Sequence, residues 1–414
     1  MEKKLTLRNV KRQAGIVCRL LLAALLIQGI AEAAAPTANA SAPYAAYAST
    51  AAHAATKPIQ VKRIDGSREW MTEQKLPIQA INGRVYIWIQ DLRELFREVS
   101  LVQARDGSRV TFAYPGVFAA FRPGSRSAVI NGKTLQLDHE ALILQRNRMY
   151  VSLREAALLL HAGLRYDPAQ ATVSITYGEH YVVSADSDEP DLFWLDPLTH
   201  RLYASKRGAP PILAGTTHAK LEGYGYLESE RLDAHNVGVT LKDIYGEPGL
   251  GTNVFKFIVH QDKLVLESQA SYYGSRNVDS LSRYSGGIVL VDGGSVLLAK
   301  PDGTVTQKAD IAKMLDSKEA MTVLYAADDA LIVQLYDAQM LALVDLKKKT
   351  AALLYKRLLP ADEQKRVEEQ RKYSMDFDYD GDGLDFVRRE GDTFYFTHAD
   401  VIGTGLSNYS LTLQ

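Results

Sequence analysis

The feature that most constrains this chain is an internal repeat. One copy reads Arg148-Met-Tyr150-Val151-Ser-Leu153-Arg154-Glu155-Ala-Ala-Leu158-Leu-Leu160. A diverged copy lies 64 residues upstream, Arg84-Val-Tyr86-Ile87-Trp-Ile89-Gln-Asp91-Leu92-Arg-Glu-Leu95-Phe96. Arg84 aligns with Arg148, Tyr86 with Tyr150, Leu95 with Leu159 and Phe96 with Leu160. One such unit often cannot bury its own apolar face, so two copies are expected to make one domain of related halves. The repeat specifies architecture and no reaction.

In the second copy Tyr150, Val151 and Leu153 predict a short apolar strand, and Arg154-Glu155 opens a helix. His161-Ala-Gly163 ends that helix, because glycine tolerates the left-handed backbone that a C-terminal cap requires. Tyr166-Asp167-Pro168 predicts a turn, and Thr172-Val173-Ser174-Ile175 alternates as a half-buried strand does. Upstream, Ala128 to Leu137 predicts a hairpin turning at Asn131-Gly132. The expected order is hairpin, strand, helix, strand.

Asn131-Gly132-Lys133, the alternation of Leu135 and Leu137, the Arg148–Glu155 segment, and Tyr166-Asp167 followed by Thr172–Ile175 resemble the copper amine oxidase N-terminal-like domain, also known as the stalk domain. The resemblance spans about residues 60–178 and is closer in the second copy. It implies an α+β domain found in secreted and surface proteins of Gram-positive spore-forming bacteria, remote from copper and from the quinone cofactor. Amine oxidation itself would need a tyrosine in Asn-Tyr-(Asp/Glu) and a His-x-His pair. Asn408-Tyr409 is followed by Ser410, and no His-x-His occurs. The chain is therefore not expected to oxidise amines.

Lys3, Lys4, Arg8, Lys11, Arg12 and Arg19 precede an apolar run from Leu20 to Ile30, which ends in Ala31-Glu32-Ala33. Residues 1–33 read as a secretory signal peptide; a membrane span needs about 20 apolar residues, more than this run supplies. The Ala-rich stretch 34–57 reads as a flexible leader. The lone cysteine, Cys18, precedes the apolar run, so a protein cleaved after Ala33 has no thiol for catalysis, metal or disulfides. The full chain has 48 basic and 49 acidic residues. Cleavage removes six basic and two acidic residues, leaving 42 and 47 and a net charge of −5. That balance offers no electrostatic footprint for nucleic acid.

Residues 58–178 are then the stalk-like domain and residues 179–414 a mostly β domain. Strands are expected over Leu192–Leu195, Arg201–Tyr203, Val254–Val259, Leu264–Leu266, Gly287–Val291 and Val296–Leu298. Four more, around Val323–Tyr325, Leu331–Leu335, Met340–Val344 and Thr350–Leu354, resemble one β-propeller blade. A β-sandwich or irregular sheet stack is the alternative arrangement. The segment from Pro360 to Lys372 reads as a solvated charged helix with Asp362–Arg366, Lys365–Glu369 and Glu368–Lys372 at i,i+4. Tyr224, Tyr226, Tyr272, Tyr273 and Tyr284 are expected in the core rather than on a sugar-binding surface.

The sharpest ligand pattern is Asp376-Phe-Asp378-Tyr-Asp380-Gly381-Asp382-Gly383-Leu-Asp385. Hard oxygen ligands at alternate positions around a glycine turn suit a structural Ca²⁺. Neither register supplies the distant glutamate of an EF-hand; the second resembles the calcium loops of propeller repeats. The remaining histidines lack zinc-ligand spacing, and neither a nucleophile elbow nor Ser-x-x-Lys occurs. The expected function is a secreted, non-catalytic, envelope-associated binding or scaffold protein, its partner a cell-wall polymer or surface protein. The alternative is a secreted hydrolase, which would require several of Asp196, Glu230, Asp233, Asp243 and Glu247 to converge in one cleft.

Overall fold

The strand Gln60–Asp65 runs parallel to Thr172–Thr176, placing Gln60 beside Thr172 and Ile64 beside Thr176. This pairing joins the two ends of the first domain. The computed structural model describes residues 59–71, 74–75, 77–184, 191–373, 381–399 and 405–413. The stretches expected to be a signal peptide and a leader, and Asp376, Asp378 and Asp380, lie outside the described residues. Within them no helix is long and apolar enough to cross a membrane. The chain is mostly β-structure, built from many small antiparallel sheets.

The first domain has three sheets. Arg68–Met71 and Gly163–Asp167 flank the parallel pair. A second sheet sets the hairpin Gln79–Ile81/Arg84–Trp88 against the hairpin Leu142–Gln145/Arg148–Ser152, with Ile87 directly opposite Val151. A five-stranded meander fills residues 100–136. Each inner strand of the second sheet runs straight into a helix, Ile89–Leu95 or Leu153–Leu159. Leu92, Phe96, Leu153, Ala156 and Phe112 of these elements are wholly buried in one cluster. Full burial of such a side chain stabilises by about 1.5–3 kcal/mol, so the two helices and three sheets depend on one another. Asn131 and Gly132 both adopt positive φ, as their hairpin turn requires. His161, at φ 55°, takes the left-handed position where the second helix ends.

The rest of the described chain forms five antiparallel meanders in strict sequence order. Their strands fall within residues 182–216, 224–273, 283–310, 321–353 and 384–412. The first four meanders have four strands and the last has three. Apolar clusters join the first to the second, the second to the third and fourth, and the fourth to the fifth. The charged helix is present as Ala361–Tyr373, and it is not solvated all round: Val367 and Glu363 are buried. Asp362–Arg366 and Lys365–Glu369 pair at 3.4 and 3.6 Å. Glu368 accepts from the Tyr355 hydroxyl at 3.2 Å, and the Lys372 side chain of its expected pair lies outside the described residues.

The two regions meet at Glu98, on the segment leaving the first helix. Its carboxylate is buried and accepts from the Tyr177 hydroxyl and from the backbone N–H groups of His180 and Tyr181, at 2.9 and 2.7 Å. Its own carbonyl accepts from Trp194 Nε1 at 2.7 Å. Burial pushes the Glu98 carboxyl above the usual range, against the pull of those donors. Tyr181 packs edge-on to Tyr114 of the first domain and Tyr203 of the first meander. Removing an acceptor that satisfies one buried and two part-buried donors costs about 1–3 kcal/mol for the buried hydroxyl and less for each amide. Glu98→Ala is therefore expected to lower unfolding free energy by at least about 2 kcal/mol. Urea titration followed by Trp194 fluorescence checks this, and an unchanged midpoint would show that the junction does not depend on the carboxylate.

Candidate functional site

The second meander contains the clearest alternation in the chain. Along Asn236–Tyr245, Val237, Val239, Leu241 and Asp243 are buried, while Gly238, Thr240 and Lys242 are partly open. In an antiparallel sheet successive side chains point to opposite faces. One face packs Leu227, Val239, Leu241, Phe255 and Phe257 against the first meander. The other face mixes polar residues with Val254, Ala270 and Tyr272, which pack on the third and fourth meanders, and is arranged in rungs across four strands. One rung is Glu228–Thr240–Lys256–Ser268, and the next is Tyr226–Lys242–Val254–Ala270.

Between this polar face and the segment Val278–Ser282 lies a cleft of about 310 Å³, closed on one side by Val291 of the third meander. The segment is held in place. Asp279 takes Lys242 Nζ at 3.0 Å, Ser280 Oγ accepts from Val323 N at 3.1 Å, and Arg276 donates to the carbonyls of Tyr336 and Asp337. Tyr272 fixes the floor by donating to the Met321 carbonyl at 2.9 Å. Glu230, on the cleft edge, pairs with Arg283 at 2.7 Å. Lys242 also lies over the Tyr226 ring, 5.9 Å from its centroid. Burial lowers the Lys256 ammonium below the ordinary lysine range, with Glu230 and Asp279 opposing and Lys242 reinforcing the shift.

A second polar cluster lies in the first domain. His139 Nε2 is 2.7 Å from Glu155 Oε2, and its Nδ1 is 2.5 Å from Asp138 Oδ1. Arg84 Nη2 donates to Asp138 Oδ2 at 2.6 Å, and Arg84 Nη1 lies 3.4 Å from His139 Nε2. Asp138, His139 and Glu155 are close enough to hold a metal ion. The guanidinium beside the imidazole opposes a second cation there, so the geometry favours an internally neutralised ion cluster. Burial disfavours the charge on His139, but its hydrogen bonds to Glu155 and Asp138 prevail and hold its pKa above the usual value.

The acidic motif has only Asp382 and Asp385 among its aspartates in the described residues. Asp382 is wholly buried and accepts from Leu341 N at 3.0 Å and Leu384 N at 3.1 Å, tying the fourth meander to the fifth. Burial raises its pKa to about 7 against those bonds. Gly381 is required beside it, because a Cβ there would meet the Gln339 carbonyl oxygen at 2.0 Å. Asp385 is exposed on the strand Leu384–Glu390, opposite Thr397.

The carboxylates on which a hydrolase reading would rest are dispersed. Of the five, Glu230 alone lines the cleft. Asp196 accepts from Leu198 N and Thr199 N in its own turn, and Asp233 does the same for His235 N and Asn236 N. Asp243 is buried and accepts from Glu222 N, Gly223 N and Asn253 Nδ2. Glu247 precedes a cis proline. The tyrosine expectation needs correcting. Tyr272 is core, but Tyr224 and Tyr273 are 74 % and 64 % exposed, because they stand at the open end of the second meander. The strands of the cleft face mix charged residues with apolar ones, and the alternation of Val237, Val239 and Leu241 is the sequence signal that marks it.

Residues 64–175 match the family described as copper amine oxidase N-terminal domain. The match agrees with the resemblance carried by the repeat region and begins and ends on the parallel strand pair. No curated protein matches the chain. Among solved structures, a nidogen/laminin complex chain is 10% identical with a TM-score of 0.21, covering 66% of this chain and 87% of its own. A protein of unknown function from Bacteroides caccae is 7% identical with a TM-score of 0.22, covering 70% and 89%. YCF48 from Cyanidioschyzon merolae is 12% identical with a TM-score of 0.21, covering 75% and 95%. Likenesses at this level define neither fold nor function.

The His139 cluster generates a pH prediction. Its folded pKa lies above the unfolded value of 6.5. Its stabilising contribution is therefore complete below that value and is lost as pH rises through the folded pKa. Wild-type unfolding free energy should fall relative to His139→Gln across about pH 6 to 8. Urea titrations at intervals over that window test this, and parallel profiles for the two proteins would rule it out.

Proposed function

We propose that this is a secreted, non-catalytic, cell-envelope-associated binding protein, in which a stalk-like domain presents a β-rich recognition domain. The observation that carries the reading is the cleft of the second meander. Its cations and carboxylates are largely held in pairs, Lys242 with Asp279 and Arg283 with Glu230. Paired groups of this kind supply oriented donors and acceptors for recognition. The match of residues 64–175 to the stalk family supports the envelope association. Tying the two regions through Glu98 gives the recognition face a fixed mount.

Two finer readings of the architecture accompany this. The stalk-like domain is a duplication: hairpin and helix recur, and the aligned residues Ile87 and Val151 face each other. The five meanders are blades of a propeller, a reading supported by their strict antiparallel order and by the apolar clusters between successive meanders. The acidic loop holds a structural Ca²⁺ through Asp376, Asp378, Asp380, Asp382 and Asp385.

Wall association predicts that the signal-cleaved chain, 34–414, co-sediments with isolated Gram-positive cell walls while an acidic control protein of similar size stays in solution. Failure to pellet at low ionic strength would sink the envelope reading. Structural calcium predicts that EDTA lowers the melting temperature by several degrees, that added Ca²⁺ restores it, and that Asp380→Asn abolishes the difference. A melting curve indifferent to both additions would remove calcium from the account.

A further inference from the structure

The cleft contains two charges without an ion pair among the described residues: Glu228, which is exposed on the edge strand, and Lys256, which is half-buried two strands away on the same rung. Lys242 has Asp279 at 3.0 Å, and Glu230 has Arg283 at 2.7 Å. Lys256 forms no ion pair or hydrogen bond among the described residues and is half-buried on the central strand Gly251–His260. Thr240 and Ser268 are its neighbours on the rung. A partly desolvated ammonium lacking an anion is costly, and its lowered pKa follows from the same burial. A carboxylate entering the cleft would supply the missing counter-ion.

The groups around Lys256 narrow the class of ligand. Thr240, Ser229 and Ser282 line the same cleft, and hydroxyls recognise a polyol by giving and taking hydrogen bonds. The volume of about 310 Å³ is at the small end of ligand pockets, which run from about 300 to 1,000 Å³. We propose that this cleft binds an acidic sugar residue, with Lys256 taking its carboxylate and Thr240 and Ser282 its hydroxyls. The proposal rests on the binding reading above and gives that site its ligand class.

The test is calorimetric titration of the signal-cleaved chain at pH 7 with glucuronate, with glucose and glucose 6-phosphate in parallel. Glucuronate should bind at least tenfold more tightly than glucose. Lys256→Met should lose at least tenfold in glucuronate affinity while its circular dichroism and melting temperature are retained, and Lys256→Arg should keep part of the affinity. Wild-type affinity should also fall at a pH below the ordinary lysine range, because burial lowers the Lys256 pKa while Glu230 and Asp279 oppose that shift. Equal binding of glucuronate and glucose, tighter binding of the phosphate, or full affinity in Lys256→Met would overturn the proposal. Should Lys256→Met not fold, Thr240→Val decides: weakened glucuronate binding supports the site and unchanged affinity overturns it. Wall co-sedimentation separates the two readings. If wild type pellets but does not bind glucuronate, the ligand class alone fails; if it binds glucuronate but does not pellet, the ligand class stands and the envelope reading fails.

Discussion

The buried carboxylate of Glu98 sits where the first domain hands the chain to the meanders, and the orientation of everything downstream depends on it. A carboxylate removed from water is costly unless its lone pairs are taken up. Here the Tyr177 hydroxyl and the N–H groups of His180 and Tyr181 take them up. Those donors belong to the connecting segment, so the connection cannot swing without exposing an unsatisfied charge or amides. Trp194 locks the other side by donating to the Glu98 carbonyl. Arg63 works beside it, donating to the carbonyls of Tyr177 and Leu95 and pairing with Glu179 at 3.0 Å.

The same device recurs between meanders. Asp382 collects the amides of Leu341 and Leu384, and Asp243 collects those of Glu222 and Gly223. In each case a side-chain acceptor substitutes for a backbone partner that the sheet ladder cannot provide at a crossing. Such bonds are directional, whereas the apolar clusters between meanders are not. The clusters therefore supply most of the cohesion, while the buried carboxylates fix the relative setting of the parts. Exposed pairs such as Arg388–Glu390, at 2.7 Å, contribute little to either, because solvent screens them.

Local features of the fold were legible in the sequence, and long-range ones were not. Asn131-Gly132 specified its turn, and the apolar runs at Leu331–Leu335 and Met340–Val344 specified adjacent strands, because both signals depend on neighbouring residues alone. Glu98 was not legible. It follows another charged residue, Arg97, and its burial is imposed by residues about 80 to 100 positions further on. The cluster of Asp138, His139 and Glu155 is illegible for a similar reason, since a bend holds the first two and a helix brings the third to them. In the acidic motif the spacing carries a ligand pattern but not the second role of Asp382, which accepts from the backbone amides of Leu341 and Leu384.

The recognition face follows from the alternation that folds the second meander. Val237, Val239 and Leu241 must face the first meander to complete its core. Strand geometry then forces Thr240 and Lys242 to the opposite side. Pairing with Gly251–His260 carries the same choice to Lys256. A register slip of one residue would exchange the two faces, which the loss of the buried cluster forbids. The apolar half of the sheet therefore enforces the position of its polar half. Lys256 remains in the cleft because Phe255 and Phe257, on either side of it, are required in the core.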